Sequence, residues 1–236
     1  MQPLSESVKA LTFDTGGTIL DWHRGISRAF ADAGKRRGVG ADWDEVTNEY
    51  RRRSLKAVVG LVRPAFNFDD VHRRVLDEVL EHYRLDAFNS EDRDAIWRTW
   101  HALEAWPDFP AALARLRRKY VVASFTLLTT SLVIDVSRKN GFVWDAIISC
   151  EMIGHYKTCP EAYQTAAKWL QLDPSEILMV ACHNFDLNAA RGCGYKSAFV
   201  RRPAEWGPAG APDPTPNPAH DIVADDFPAL AAALGA

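Results

Sequence analysis

The chain has 236 residues, 47% hydrophobic and 25% charged, with a formal net charge of -3. That is the balance of an ordinary folded protein with one core domain, with or without an insertion. It excludes the basic face that nucleic-acid binding needs, and no apolar run approaches the roughly 18 residues that cross a bilayer. The four cysteines, Cys150, Cys159, Cys182 and Cys193, form no Cys-x-x-Cys pair, and no signal peptide is read before the first strand. Neither a disulfide framework nor a structural zinc site is expected, and a reducing cytoplasm fits best.

The lead-in MQPLSESVK is polar, and Val8 to Phe13 read as a buried strand. It ends in Asp14-Thr15-Gly16-Gly17-Thr18, too rich in glycine to continue. From Trp22 to Glu104 helical spacing dominates. Asp42 is placed to cap a helix through Glu45, Val46, Tyr50 and Leu55. Asn67 to Asp70 break the run, Val71 to Leu80 resume it, and Glu91 to Leu103 give a further helix. After Trp106-Pro107 the pattern changes to helices alternating with short apolar strands. The predicted helices are Ala111 to Lys119, Leu132 to Asn140, Pro160 to Leu170, Leu187 to Cys193 and Phe227 to Leu234. The predicted strands are Tyr120 to Phe125, Ala146 to Ser149, Ile177 to Val180, Ser197 to Val200 and a short Ile222-Val223. Pro203 to Pro218 read as a loop. This alternation predicts an α/β fold with a parallel sheet. Residues 1–21 and 106–236 form the core and residues 22–105 a helical cap inserted after the first strand. Asp14, Thr126 and Asp186 each follow a predicted strand, where open α/β sheets bind ligands.

Phe13-Asp14-Thr15-Gly16-Gly17-Thr18 resembles the first motif of the haloacid dehalogenase superfamily, with Asp14 as its nucleophile. Thr126 stands where that family carries Ser or Thr. Lys157, with Pro160 and Tyr163, resembles its lysine motif. Val180 to Asp186, followed by Ala189-Ala190-Arg191 and Gly194, resembles its acidic motif. All four occur in the family order. Within the superfamily the chain resembles the type II 2-haloacid dehalogenases. Gly16 stands where a phosphatase usually has a second Asp as general acid, the insertion has the size and place of the dehalogenase cap, and Ile153 to Lys157 look like that branch.

The resemblance implies a Rossmann-like core and a hydrolase acting on a small 2-substituted carboxylate, with no cofactor and no metal, and a homodimer. Asp14 would attack C2, expel the leaving group and form an ester that water hydrolyses. Lys157 would keep Asp14 charged, and Asp186 would pair with the lysine and activate water. Thr18 and Thr126 would fix the Asp14 oxygens. Arg51, or its neighbours Arg52 and Arg53, takes the place of the arginine that binds substrate or leaving group. Trp22 and Phe185 would form apolar walls, and Tyr163 would contact substrate or lysine.

Five positions depart from the usual dehalogenase. Gly16 replaces a common aromatic residue and should leave extra room beside the nucleophile. Leu127 replaces an Asn, removing a polar contact. Thr158-Cys159 replace Pro-Asp. His183, followed by Asn184, occupies a position where some members have Asn, and both are candidate substrate contacts. Four readings stand: a 2-haloacid dehalogenase, a hydrolase opening the ring of azetidine-2-carboxylate with His183 or Tyr163 as proton donor, a magnesium-dependent phosphatase, and a non-catalytic binding protein that retains the fold.

Overall fold

Six short apolar segments form the sheet of a computed structural model that describes residues 3–64 and 67–236. Met1 and Gln2 of the polar lead-in lie outside the described residues. The strands are β1 (Ala10–Phe13), β2 (Val121–Thr126), β3 (Ala146–Ser149), β4 (Ile177–Ala181), β5 (Lys196–Val200) and β6 (Ile222–Ala224). Every residue of β1 and β4 is buried, as expected for parallel strands covered on both faces. All pairs are parallel and the order is β3-β2-β1-β4-β5-β6. From β1 the chain lays β2 and β3 on one side and β4, β5 and β6 on the other. The carboxyl ends of β1 and β4 therefore border the crevice where such sheets hold ligands.

The helices are α1 (Leu4–Ser7), α2 (Trp22–Arg37), α3 (Trp43–Lys56), α4 (Phe68–His82), α5 (Ser90–Thr99), α6 (Phe109–Leu116), α7 (Thr130–Asn140), α8 (Cys150–Ile153), α9 (Pro160–Leu170), α10 (Asn184–Gly192) and α11 (Phe227–Ala233). Side-chain caps set many of their starts. Asp42 accepts from the Glu45 amide, Asn67 from Asp70 and Thr129 from Leu132, each satisfying a free helix-terminal donor. Asn89 and Asp92 form a reciprocal capping box at α5. Arg36 and Arg37 from α2 also donate to the Asp92 carboxylate, which ties α2 to α5.

α2 to α5 lie between β1 and β2 in the chain and pack on one another. Their shared interior is aromatic: Trp22 stacks on Trp100 with centroids 6.4 Å apart, and His72 stacks on Trp100 at 4.0 Å. Backbone hydrogen bonds join the insertion to the core in two places among the described residues. At its ends the Asp21 amide donates to the Glu104 carbonyl, and Trp106 to Ile19, both at 2.9 Å. Between α3 and α4 the Gly60 amide donates to the Lys157 carbonyl at 2.7 Å, and the Tyr156 amide to Leu61 at 2.9 Å. The Lys157 segment thus lies directly under the insertion.

Several boundaries differ from expectation. Asn67 to Asp70 do not break a helix; they are the cap and first turn of α4, because the Asn67 side chain substitutes for a missing turn. β1 begins at Ala10, since Val8 closes α1. α10 begins at Asn184, three residues early, which puts Asp186 in its first turn.

Candidate active site

Asp14 directly follows β1, with 7% of its surface exposed. Its Oδ1 lies 3.3 Å from Lys157 Nζ, and its Oδ2 accepts the Thr18 hydroxyl at 2.7 Å. Lys157 Nζ also donates to Asp186 Oδ2 at 2.7 Å, while Tyr163 donates to Asp186 Oδ1 at 2.8 Å. The lysine is 1% exposed and its ammonium sits 4.6 Å from the Phe125 ring centroid. Burial alone would raise the Asp14 pKa; the Lys157 and His183 charges and the Thr18 hydroxyl outweigh it and hold the carboxyl well below the usual range. Asp186 is pushed up, by burial first and then by the Asp14 charge, against the pull of Lys157. Lys157 stays charged because its two carboxylates overcome burial.

The imidazole of His183 places Nδ1 3.4 Å from Asp14 Oδ2 and Nε2 3.0 Å from Glu205 Oε1. Glu205 is 1% exposed and also accepts from Trp22 Nε1 at 3.2 Å. From the other side α3 delivers Arg51, 3% exposed. Its guanidinium carbon lies 5.5 Å from the Trp22 and Trp100 ring centroids and 5.9 Å from Phe68. Nη2 lies 3.5 Å from the Gly16 carbonyl, whereas Nε and Nη1 have no hydrogen-bond partner among the described residues. A buried cation with two unpaired donors is costly unless an anion completes it. The aromatic faces recover part of that cost.

A carboxylate held charged at the end of a central strand, with a lysine shared by a second carboxylate, is equipped for nucleophilic catalysis. The model for haloacid dehalogenase-like hydrolases matches residues 8–194. The chain belongs to that hydrolase family. Among solved structures, a defluorinating L-2-haloacid dehalogenase is 36% identical, with TM-score 0.89 over 97% of this chain and 96% of that one. A second L-2-haloacid dehalogenase is 31% identical, with TM-score 0.88 over 97% and 99%. The (S)-2-haloacid dehalogenase 4A of Burkholderia cepacia is 28% identical over 84% of each chain. Pyrophosphatase PpaX of Anoxybacillus flavithermus is also similar, at 26% over 82% of this chain and 84% of its own.

In this haloacid dehalogenase-like hydrolase, Asp14, Thr18, Lys157, Tyr163, His183 and Asp186 come together as one hydrogen-bonded and ion-paired cluster. Arg51, not Arg52 or Arg53, points inward; its neighbours pair with Glu45 and Glu49 on the outer face of α3. Gly16 leaves no spare room, contrary to expectation. A Cβ there would lie 2.8 Å from Arg51 Nη2, so the guanidinium already fills the space. Thr126 does not reach the Asp14 oxygens: its hydroxyl pairs with Thr15 and accepts the Leu128 amide at 3.1 Å. Tyr163 reaches Asp186 rather than the lysine, and its phenol is pushed up by burial. Asn184 turns away, donating to the Thr215 carbonyl and accepting from the Asn217 amide, so it holds the 213–217 loop. Leu127 is buried, Trp22 lies between Arg51 and Glu205, and Phe185 is 41% exposed and stacked on His183. Burial raises Cys159 and pushes Cys182 up to about 11, which leaves both as thiols rather than nucleophiles.

Glu205 was not legible in the sequence. It lies in the stretch read as a proline-rich loop, and its one local signal is an acid between Ala204 and Trp206 in an otherwise apolar tract.

Proposed function

We propose that this hydrolase displaces a leaving group at C2 of a small 2-substituted carboxylate through an ester on Asp14, as a 2-haloacid dehalogenase. The observation that carries this reading is the cationic frame of Asp14: Lys157 on one side, and the Arg51 guanidinium filling the space beside Gly16. Lys157 keeps Asp14 charged for attack, and the unpaired Arg51 donors receive the substrate carboxylate or the departing halide. Asp186, oriented by Lys157 and Tyr163, takes a proton from the water that opens the ester. The helices of residues 22–105 act as a cap that supplies Arg51 and the aromatic walls.

Magnesium-dependent phosphoryl transfer fits this site poorly. Magnesium needs oxygen donors, but Asp14 is surrounded by Lys157, His183 and Arg51, and no acid stands at Gly16. Ring opening of azetidine-2-carboxylate is supported by one feature, the His183 imidazole beside Asp14, because a ring amine leaves with a proton. Among the described residues no helix is long and apolar enough to cross a membrane. A cytoplasmic location and a homodimer complete the proposal, the latter checked by light scattering.

Incubation with 2-chloropropionate, azetidine-2-carboxylate and a phosphate monoester, with and without chelator, separates the readings. Halide release that ignores chelator is expected; chelator-sensitive phosphate release without halide release would overturn the proposal. A single turnover in oxygen-18 water should leave the first product unlabelled, because its oxygen comes from Asp14. Asp14→Asn should abolish turnover.

A further inference from the structure

Glu205 is held in place by built contacts, although it lies on a loop. Oε1 and Oε2 lie 3.0 and 3.1 Å from His183 Nε2, Trp22 Nε1 donates to Oε1 at 3.2 Å, and Cys182 Sγ lies 3.5 Å from Oε2. A Cβ on Gly17 would lie 2.0 Å from Oε1, and Gly17 has φ +95°, so glycine there both makes the turn and clears the carboxylate. Arg202, three residues before Glu205, donates to the Thr18 carbonyl at 2.8 Å and forks onto Asp108 at 3.0 and 3.1 Å. The loop is thus fastened to the segment that follows the nucleophile. His183 has a carboxylate at each ring nitrogen, Glu205 at Nε2 and Asp14 at Nδ1. Both nitrogens can donate at once only in the imidazolium form.

We propose that Glu205 is a positioning residue that keeps His183 an imidazolium facing Asp14 Oδ2, and that this charged donor serves hydrolysis of the aspartyl ester rather than its formation. The inference rests on the ester mechanism proposed above and assigns its second half. Oδ1, facing Lys157, attacks C2 and the leaving group departs with the electron pair of its bond. Oδ2 then becomes the ester carbonyl oxygen, beside the Thr18 hydroxyl and His183 Nδ1. Water oxygen adds to Cγ and gives one proton to Asp186, and the carbonyl π pair moves onto Oδ2. Collapse returns that pair and breaks the Cγ–Oδ1 bond. The 2-hydroxy acid leaves with Oδ1 and the proton from Asp186, and the remaining acid proton on Asp14 goes to solvent.

The two halves make opposite demands on the imidazolium. Ester formation removes negative charge from Asp14, so a cation at Oδ2 stabilises the ground state and gives no advantage. Ester hydrolysis regenerates negative charge on Oδ2, where a fixed charged donor is most effective. The groups facing His183 agree with the charged form. Burial lowers its pKa, but the anionic groups around it raise it well above the ordinary value. Cys182, a thiol with its pKa near 11, adds little charge, so Asp14 and Glu205 carry the effect. Arg51 and Lys157 act from farther out through those same carboxylates. Phe185 stacks on the ring at 5.4 Å.

The test uses 2-chloropropionate, because chloride leaves without a proton. Rapid quench and intact-protein mass spectrometry follow the ester, and chloride release follows the burst. In Glu205→Gln the burst should be as fast as in the wild type or faster, while ester decay slows roughly 10- to 100-fold, less than the ~10²–10³ that loss of a whole oxyanion donor costs. Ester decay in that variant should also gain an alkaline limb near the ordinary histidine pKa of about 6.5. Equal slowing of burst and decay, or an unchanged pH profile, would overturn the proposal. The wild-type protein gives an independent reading without any variant. Its ester decay should hold level as pH rises through about 6.5, where an ordinary imidazole loses its proton; a fall centred there would overturn it. Absence of any ester on Asp14 would instead sink the ester mechanism itself.

Discussion

At the scale of single residues, the site depends on small side chains as much as on charged ones. Gly16 matters for what it lacks. Gly16→Ala would bring a Cβ to 2.8 Å from Arg51 Nη2. The clash is with the tip of a side chain, so the fold should survive while the guanidinium shifts. The expected result is a kcat/KM lower by roughly 10- to 100-fold, or about 1.4–2.8 kcal/mol of transition-state stabilisation, with little change in melting temperature. Equal losses in activity and stability would count against it. Tyr163→Phe acts differently. It removes the hydroxyl on Asp186 Oδ1 and leaves a buried carboxylate oxygen short of a donor. A loss of about 1–3 kcal/mol in denaturant unfolding is expected, together with slower turnover. The proposed nucleophile Asp14, with Lys157 and Asp186, was legible because short motifs keep the three at family spacing. Arg51 was picked by its expected place in the first helix of the insertion, with its neighbours left open, since the letters alone cannot tell which arginine meets a partner outside the helix.

At the scale of elements, His101 is among the side chains that tie the insertion to the core. His101, in the turn after α5, places Nδ1 2.7 Å from Asp135 on α7 and Nε2 3.4 Å from Asp69 on α4. Asp69 also accepts the Thr129 hydroxyl at 2.7 Å, at the start of α7. The nearby Asp69 carboxylate, then Asp135, raises the His101 pKa above 6.5 despite burial. The folded state therefore binds this proton more tightly than the unfolded chain. The stabilisation is fully present below the unfolded value near 6.5 and is lost as pH rises through the raised folded value. Its size should be about 1 kcal/mol or less, because Asp135 is half exposed. Melting curves of the wild type and His101→Gln should differ most at low pH and converge as pH rises; a gap that widens with pH would refute the assignment. The start of α3 was legible because Asp42 caps it locally, while the Asn89 and Thr129 caps set starts one and two residues ahead of the expected Glu91 and Leu132. Asn67 was misread as a break, because the same residue type both ends and begins helices, and the deciding hydrogen bond is invisible in the letters.

At the scale of the molecule, the proposed ligand site belongs to two parts of the chain at once. Arg51, Phe68 and Trp100 come from the insertion, and Asp14, Lys157 and Asp186 from the sheet. A bound 2-substituted carboxylate should therefore stabilise the whole fold. With unreactive Asp14→Asn and 2-chloropropionate at a hundredfold its Kd, linkage gives about 2.7 kcal/mol. For a chain of this size that is roughly 5–11 °C in melting temperature. Adding Arg51→Met should abolish the shift; a shift that survives would mean the anion binds elsewhere.

The sequence by itself determined the class of the sheet, the place of the insertion and the order of Asp14, Lys157 and Asp186. Those properties depend on hydrophobic period, turn chemistry and motif spacing, all of which act over a few neighbouring residues. Only the tertiary structure decided that Arg51 fills the space beside Gly16, that Thr126 answers Thr15, and that Glu205 meets His183. Each of these joins residues whose approach is set by how the insertion and the loop after β5 close over the sheet. No local pattern encodes that distance, because it is fixed by packing and buried hydrogen bonds summed over the whole chain.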